Sequence, residues 1–150
     1  MKILLTFLLA AFCTATAPAA QIGDTVESKV PLANLVPIPR NQAVAVTHID
    51  LEDGVWDVSG SVQIFEGNMN QVAIAGGSIN TVIALAVDGT EVFLELAPPN
   101  FFAGISVPSH AIQIVGSGTL FLVAYNQSAQ TSLQAGGWGF ISARKIRNNH

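Results

Sequence analysis

Residues 51–65 read LEDGVWDVSGSVQIF, and apolar positions recur there at every second residue. Trp56, Val58, Gly60, Val62 and Ile64 fall on one face, with Val55, Asp57, Ser59, Ser61 and Gln63 on the other. A period of two over this length predicts a long β-strand with one buried and one mostly polar face. Trp56 is then a packing anchor, because its row is otherwise Val, Val and Ile. Residues 42–51 predict a preceding strand. Val44 and Val46 share one face, and Thr47, Ile49 and Leu51 take the opposite register after a bulge. Asp53-Gly54 between the two strands is a hairpin-type turn signal.

The same rhythm continues to the C-terminus. Strands are predicted over residues 71–74 and 79–87, separated by Gly76-Gly77, and over 91–96 after the Asp88-Gly89 turn. A Pro98-Pro99 loop leads to strands at 102–107 and 110–115, broken at Pro108. Gly116-Ser117-Gly118 turns into 119–125, and a polar loop precedes the last strand, 133–146. Short strands with Gly, Pro and Asp-Gly punctuation predict an all-β, antiparallel sandwich or barrel. Residues 21–41 carry Pro31, Pro37 and Pro39 and predict an extended arm, which either crosses onto a neighbouring subunit or hangs as a tether. The β-domain is expected over 42–147, with 148–150 as a tail.

The first twenty residues do not belong to this pattern. Lys2, an apolar run over 3–12 and small residues at Ala17 and Ala19 form a secretory signal peptide, with Ala20 as an alternative end. The expected location is periplasmic or extracellular, with no integral membrane segment after cleavage. Cys13, the only cysteine, leaves with the signal, so the mature chain has no disulfide or thiol chemistry. About 130 residues remain, enough for one core that buries roughly two thirds of the unfolded surface. Half of the chain is apolar, only 11% is charged, and the net charge is −4. An acidic excess argues against nucleic-acid binding. So neutral a surface predicts a homo-oligomer that hides part of it.

Two segments carry a resemblance. One is the Trp56-Asp57-Val58-Ser59-Gly60 strand behind its turn. The other is the closing pair, 120–125 and then Gly137-Trp138-Gly139-Phe140-Ile141-Ser142-Ala143-Arg144-Lys145-Ile146-Arg147. Together they resemble small β-domains of phage and prophage tail-fibre-tip proteins and related bacterial proteins. The resemblance spans residues 42–147, with only the strand rhythm matching in the middle. It implies an antiparallel jelly-roll β-sandwich, assembled as a trimer like tumour-necrosis-factor-like and complement-type heads. It supplies no catalytic motif, and fold analogy does not establish function. Virion fibre proteins do not usually carry an export signal, which points to a cellular protein with a fibre-type fold.

Candidate chemistry is sparse. Asp50, Glu52 and Asp53 flank the first turn and could offer hard oxygen ligands to calcium, although no EF-hand spacing is present; otherwise no cofactor is expected. Acidic residues from Asp50 to Asp57 could also serve a secreted hydrolase as a carboxylate pair, the alternative to a non-catalytic module. Ser109 or Ser106 with His110 or His48 has no Gly-x-Ser-x-Gly context, and His48, His110 and His150 do not predict a zinc site. Phe101, Phe102, Tyr125 and Trp138 are candidate stacking residues for a cell-surface glycan, or else pack a core or trimer axis. Arg144, Lys145 and Arg147 form a basic end for an edge or subunit interface, with Lys145 and Arg147 on one face and Arg144 with Ile146 on the other. Asn126-Gln127-Ser128 matches a glycosylation acceptor.

Overall fold

A computed structural model describes residues 19–66, 73–84, 91–96, 102–128 and 135–149. They are almost entirely antiparallel β-sheet: β1 (Thr25–Val30), β2 (Val36–Ile38), β3 (Ala43–Glu66), β4 (Ala73–Asn80), β5 (Val92–Leu96), β6 (Phe102–Ser128) and β7 (Ala135–Arg147). A 3-10 turn, Leu32–Asn34, joins β1 to β2. The seven strands form one hydrogen-bonded sheet in the order β1-β7-β3-β6-β4-β5, with β2 also paired to β7. Among the described residues, no helix is long and apolar enough to cross a membrane.

The spine is a ribbon of β3 and β6, paired antiparallel from Ala43↔Tyr125 to Phe65↔Phe102. Three register shifts bend it, at Ala45/Thr47, Glu52/Gly54 and Val58/Gly60. The first is the bulge that reverses the faces of residues 42–51: Val46 is its extra residue and is buried, and Ile49 and Leu51 are buried after it. The second corrects two expectations. Asp53-Gly54 and Gly116-Ser117-Gly118 are not turns but the two sides of one bulge inside continuous strands. Gly54 pairs with Ile114 and Glu52 with Ser117, which leaves Val115 and Gly116 opposite Asp53, one extra residue on β6. Gly116 adopts φ 76° and Gly54 φ 146°, values that side-chain-bearing residues rarely adopt. The third shift absorbs Pro108. Val58 pairs with His110 and Gly60 with Val107, so the proline needs no ladder hydrogen bond and β6 runs on through it. Gly76-Gly77 likewise lies within β4 rather than between strands. β4 ends at Asn80, earlier than the predicted 79–87 strand. The Asp88-Gly89 turn and the Pro98-Pro99 loop lie outside the described residues.

Bending brings the two halves of the ribbon against each other. The later half of β3 pairs with β7 on its other edge, and the later half of β6 pairs with β4. Trp56, Val58, Val62 and Ile64 face Leu120, Leu122, Ala124 and Ile79 in one core cluster. Contact across that core is close. A Cβ at Gly60 would meet Ile79 Cδ1 at 3.2 Å and Leu122 Cδ1 at 3.3 Å. A Cβ at Gly77 would meet Val62 Cγ1 at 2.7 Å. The stretch 21–41, expected as a free or swapped arm, is extended but lies on its own chain. β1 pairs with residues 139–144 and β2 with 135–137 of β7. Ser28 Oγ also lies 2.6 Å from Thr47 Oγ1, which joins β1 to the first half of β3.

Gly139 marks the tightest point. A Cβ there would overlap the Ser61 carbonyl oxygen and sit 3.0 Å from Val62 Cα. Backbone cannot swing away as a side chain can, so Gly139→Ala is expected to cost about 1–3 kcal/mol or more. Gly104→Ala meets only the Gln63 amide, at 2.9 Å, and is expected to change stability by about 0.5 kcal/mol or less. Urea midpoints of the two variants check the contrast; equal midpoints would contradict it.

Candidate functional site

The Asp50–Asp57 region sits at the bend of the ribbon, and each of its carboxylates is already engaged. Asp50 Oδ1 accepts from Thr119 Oγ1 at 2.6 Å. Glu52 Oε2 accepts from the Ala20 backbone N–H at 2.8 Å. Asp53 Oδ1 accepts from the Gly116 N–H at 2.8 Å and from Asn149 Nδ2 at 2.9 Å. The Asn149 amide also donates to the Ile114 carbonyl, so the C-terminal segment closes over the bulge. These oxygens point to separate donors, and among the described residues no group of three or more His, Cys, Asp or Glu side chains converges on one point. Asp53 serves the bend itself, because it accepts from the N–H that the bulge frees.

Lys145 changes the meaning of the basic end. It is only 5% exposed, whereas Arg144 and Arg147 are exposed. The expected pairing of Lys145 with Arg147 on one face is corrected by a bulge. Val55 pairs with Arg147 but Trp56 pairs with Lys145, so Ile146 is the extra residue and the alternation breaks there. Lys145 continues the inward row of β7, after Ile141 and Ala143. Its stem lies against Gly54, where a Cβ would meet Lys145 Cε at 2.6 Å. Its ammonium sits 5.8 Å from the Trp56 ring centroid and donates to the Ala20 carbonyl at 2.9 Å. Trp56 Nε1 in turn donates to the Glu52 carbonyl at 3.0 Å, across the bulge. A buried ammonium needs such partners.

The serine–histidine–acid combination does not form a relay. Ser109 Oγ donates directly to Asp57, and His110 Nδ1 lies 3.1 Å from the Pro108 carbonyl oxygen. Asp50 and Asp57 fall on opposite sides of the bend, one paired with Thr119 and the other with Ala111 and Arg144. His48 lies beside Phe121, with ring centroids 6.0 Å apart, and His150 is outside the described residues. A cleft of about 320 Å³ is lined by Asn80, Thr81, His110, Gln113 and the apolar Ile79, Ile112 and Leu120. Asn80 is buried, with Nδ2 bonded to Ser78 Oγ and the Ala84 carbonyl and Oδ1 unpaired. The glycosylation acceptor reading meets an obstacle: Asn126 is 1% exposed, on the inward row, with both amide atoms unpaired.

The predicted stacking residues divide. Phe101 lies outside the described residues. Tyr125 pairs with Gly76 and Ala43 in the other half of the ribbon. Phe102 and Trp138 do meet, edge to face, with centroids 5.2 Å apart. They share the outer face of β6, β3 and β7 with two residues that sequence reasoning missed: Phe65, paired with Phe102, and Phe140, two residues after Trp138. Phe65, Phe102 and Phe140 are 43%, 50% and 45% exposed. The signal was available, since Trp138 and Phe140 have the same parity along β7. Leu35 extends the patch over Gly136. Ser59, Ser61, Gln63, Ser106 and Ser142 continue the same face as a polar field.

No family model matches the chain, and no curated protein matches it in sequence. Functional assignment therefore rests on the geometry.

Asp53 gives the bend a measurable acid dependence. The Gly116 N–H and then Asn149 hold its carboxyl below the ordinary 3.8, against a smaller opposing effect of desolvation, and the positive charge of Lys145 adds the least. A depressed folded value adds stability above the unfolded pKa and loses it as pH falls through the folded one. Asp53→Asn is thus expected to lower the urea midpoint at about pH 6, with the gap to wild type closing below 3.8. A gap that stays constant into acid would show that the charge plays no part.

Proposed function

We propose that this protein is a secreted, non-catalytic jelly-roll β-sandwich that assembles into a homo-oligomer, a trimer by its resemblance to fibre-tip heads, and serves as an extracellular structural or surface-binding module. The observation that carries this reading is the outward aromatic strip of Phe65, Phe102, Trp138 and Phe140. Partly exposed aromatics of this kind offer on the order of 300–400 Å² of apolar surface. A stable interface buries about 800 Å² per partner, with an apolar centre and a polar rim. The strip supplies such a centre, and the serines and Gln63 beside it supply the rim. The jelly-roll reading is supported by the bent β3–β6 ribbon, whose halves take β7 on one side and β4 on the other. The non-catalytic reading is supported by the prior engagement of Asp50, Glu52, Asp53 and Asp57 with donors of their own.

A second reading uses the same face as a platform for sugar rings, favoured by Trp138 pairing with the amide-bearing Gln63 and standing edge-on to Phe102. Sedimentation of the mature protein separates the two. Assembly predicts one species at three protomer masses that persists on dilution. It also predicts dissociation to folded monomers in Trp138→Asp and Phe140→Asp. A monomeric wild type overturns the assembly. The glycan reading predicts quenching or enhancement of tryptophan fluorescence on titration with oligosaccharides. That change is lost in Trp138→Phe, because Trp56 is wholly buried and insulated from ligand.

A further inference from the structure

The bend carries one more feature, where the chain enters the fold. Ala20 is partly buried against the core. Its carbonyl accepts from Lys145 Nζ at 2.9 Å, and its N–H donates to Glu52 Oε2 at 2.8 Å. The next residues are fastened too. Gly23 N–H donates to the Lys145 carbonyl at 2.8 Å and Lys145 N–H to the Asp24 carbonyl at 2.9 Å. Gln21 N–H reaches Asp24 Oδ2 at 2.7 Å. Ala19, by contrast, is exposed, at the rim of a cleft lined by Glu52, Asp53, Gly116, Lys145 and Asn148.

We propose that the fold contains a receptor for its own processed N-terminus: cleavage between Ala19 and Ala20 creates an α-ammonium at Ala20 that docks on the Glu52 carboxylate. This rests on the secretion reading and goes beyond it, because it selects one of two cleavage positions and gives the product a structural role. The sequence around the bond agrees. Cleavage after Ala19 places Ala17 and Ala19 at the two positions that require small residues, whereas cleavage after Ala20 places Pro18 at the first of them. Hydrolysis adds one water across the Ala19–Ala20 amide. Ala19 leaves as a carboxylate, and the Ala20 nitrogen takes up a proton to become the ammonium.

Charge explains why that product suits the site. Bonded to Ala20 are Glu52 from β3 and Lys145 from β7; Asp53 lines the same cleft, and Asp24 holds the next residue, Gln21. In the uncleaved chain Lys145 is a cation that shares the cleft with Glu52 and Asp53 and acts on the Asp53 carboxylate. The new terminus adds a second positive charge where a carboxylate oxygen already accepts a hydrogen bond. The amide N–H to Glu52 bond is assisted by one charge only; the ammonium makes both partners ionic and adds their Coulomb attraction, and the Lys145–Ala20 carbonyl bond keeps the terminus from fraying.

The test begins with the full chain exported from a bacterial host, analysed by intact mass and N-terminal sequencing. A mature chain starting at Ala20 is expected. One starting at Gln21 overturns the docking proposal while leaving secretion intact, and an unprocessed chain overturns secretion itself. On the processed protein, the Ala20 amine is labelled by reductive ¹³C-methylation and titrated by NMR. Its pKa is expected above the usual α-amino range of about 7.7–8.0 and to return to that range in Glu52→Gln. A raised value stabilises below the unfolded pKa and is lost as pH rises through the folded one. The wild-type melting temperature should therefore fall through mild alkali more steeply than that of Glu52→Gln. An amine that titrates identically in both proteins overturns the proposal.

Discussion

A two-stranded ribbon cannot bury a face by itself, and β3 with β6 is such a ribbon over nearly its whole length. The rest of the molecule depends on where it bends. At Asp53-Gly54 and Gly116 the ladder gains a residue on one side, twist increases, and the strand can turn without breaking. The freed Gly116 N–H would be left unsatisfied there, and Asp53 accepts from it. Once the ribbon has folded, β7 and β4 take the two available edges, and Leu122 and Ile79 come down onto Gly60. Glycine at 60, 77 and 139 is a packing requirement set by that closeness, not a conformational one.

The bend also determines how the inward row of β7 must end. Residues 135, 137, 139, 141 and 143 are all buried, and strict alternation brings Lys145 inward next. An unpaired ammonium at that position would be costly. The chain resolves this locally. Gly54 has no Cβ to obstruct the stem, the Trp56 ring lies beside the ammonium, and the Ala20 carbonyl accepts its proton. The bulge at Ile146 then resets the alternation, so Arg147 remains outside. One lysine thereby joins the bend, the core tryptophan and the start of the fold.

This arrangement marks what was legible in the sequence. Period-two alternation identified the Trp56–Ile64 row, and the reversal after Val46 was readable because apolar residues change parity there. The Asp-Gly and Gly-Ser-Gly signals predict turns because a turn and a bulge ask the same thing of glycine. Only the partner strand decides between them, and pairing is not local information. Pro108 and Gly76-Gly77 misled for a related reason: whether each interrupts a strand depends on what lies opposite. The candidate site was partly visible. Phe102 and Trp138 stand out in the sequence as candidate aromatics and do meet, but Tyr125 lies in the other half, and Phe65 and Phe140 join the pair only through strand pairing and parity. Parity places residues on a face of one strand. It does not say which faces of different strands adjoin.

The outer face of β6, β3 and β7 shows why that matters. Serines dominate it near the bend, and aromatics dominate it at the far end, beside Gly104 and Gly136. The two glycines leave gaps in an otherwise continuous surface. Gln63 fills the first and Leu35 the second. Each is a side chain laid over neighbouring backbone, and the rings of Phe102 and Trp138 meet on the same face, where Trp138 pairs with Gln63. A face meant only for water would not need flattened gaps and edge-to-face rings, since exposed Phe and Trp contribute little to folding. A face meant for a second surface would, because close approach demands few protrusions and gains most from large rigid side chains. The graded composition of this sheet, polar near the charged bend and aromatic away from it, therefore separates two tasks. One end holds the chain's own entry point, and the other carries the aromatic strip that we propose is covered on assembly.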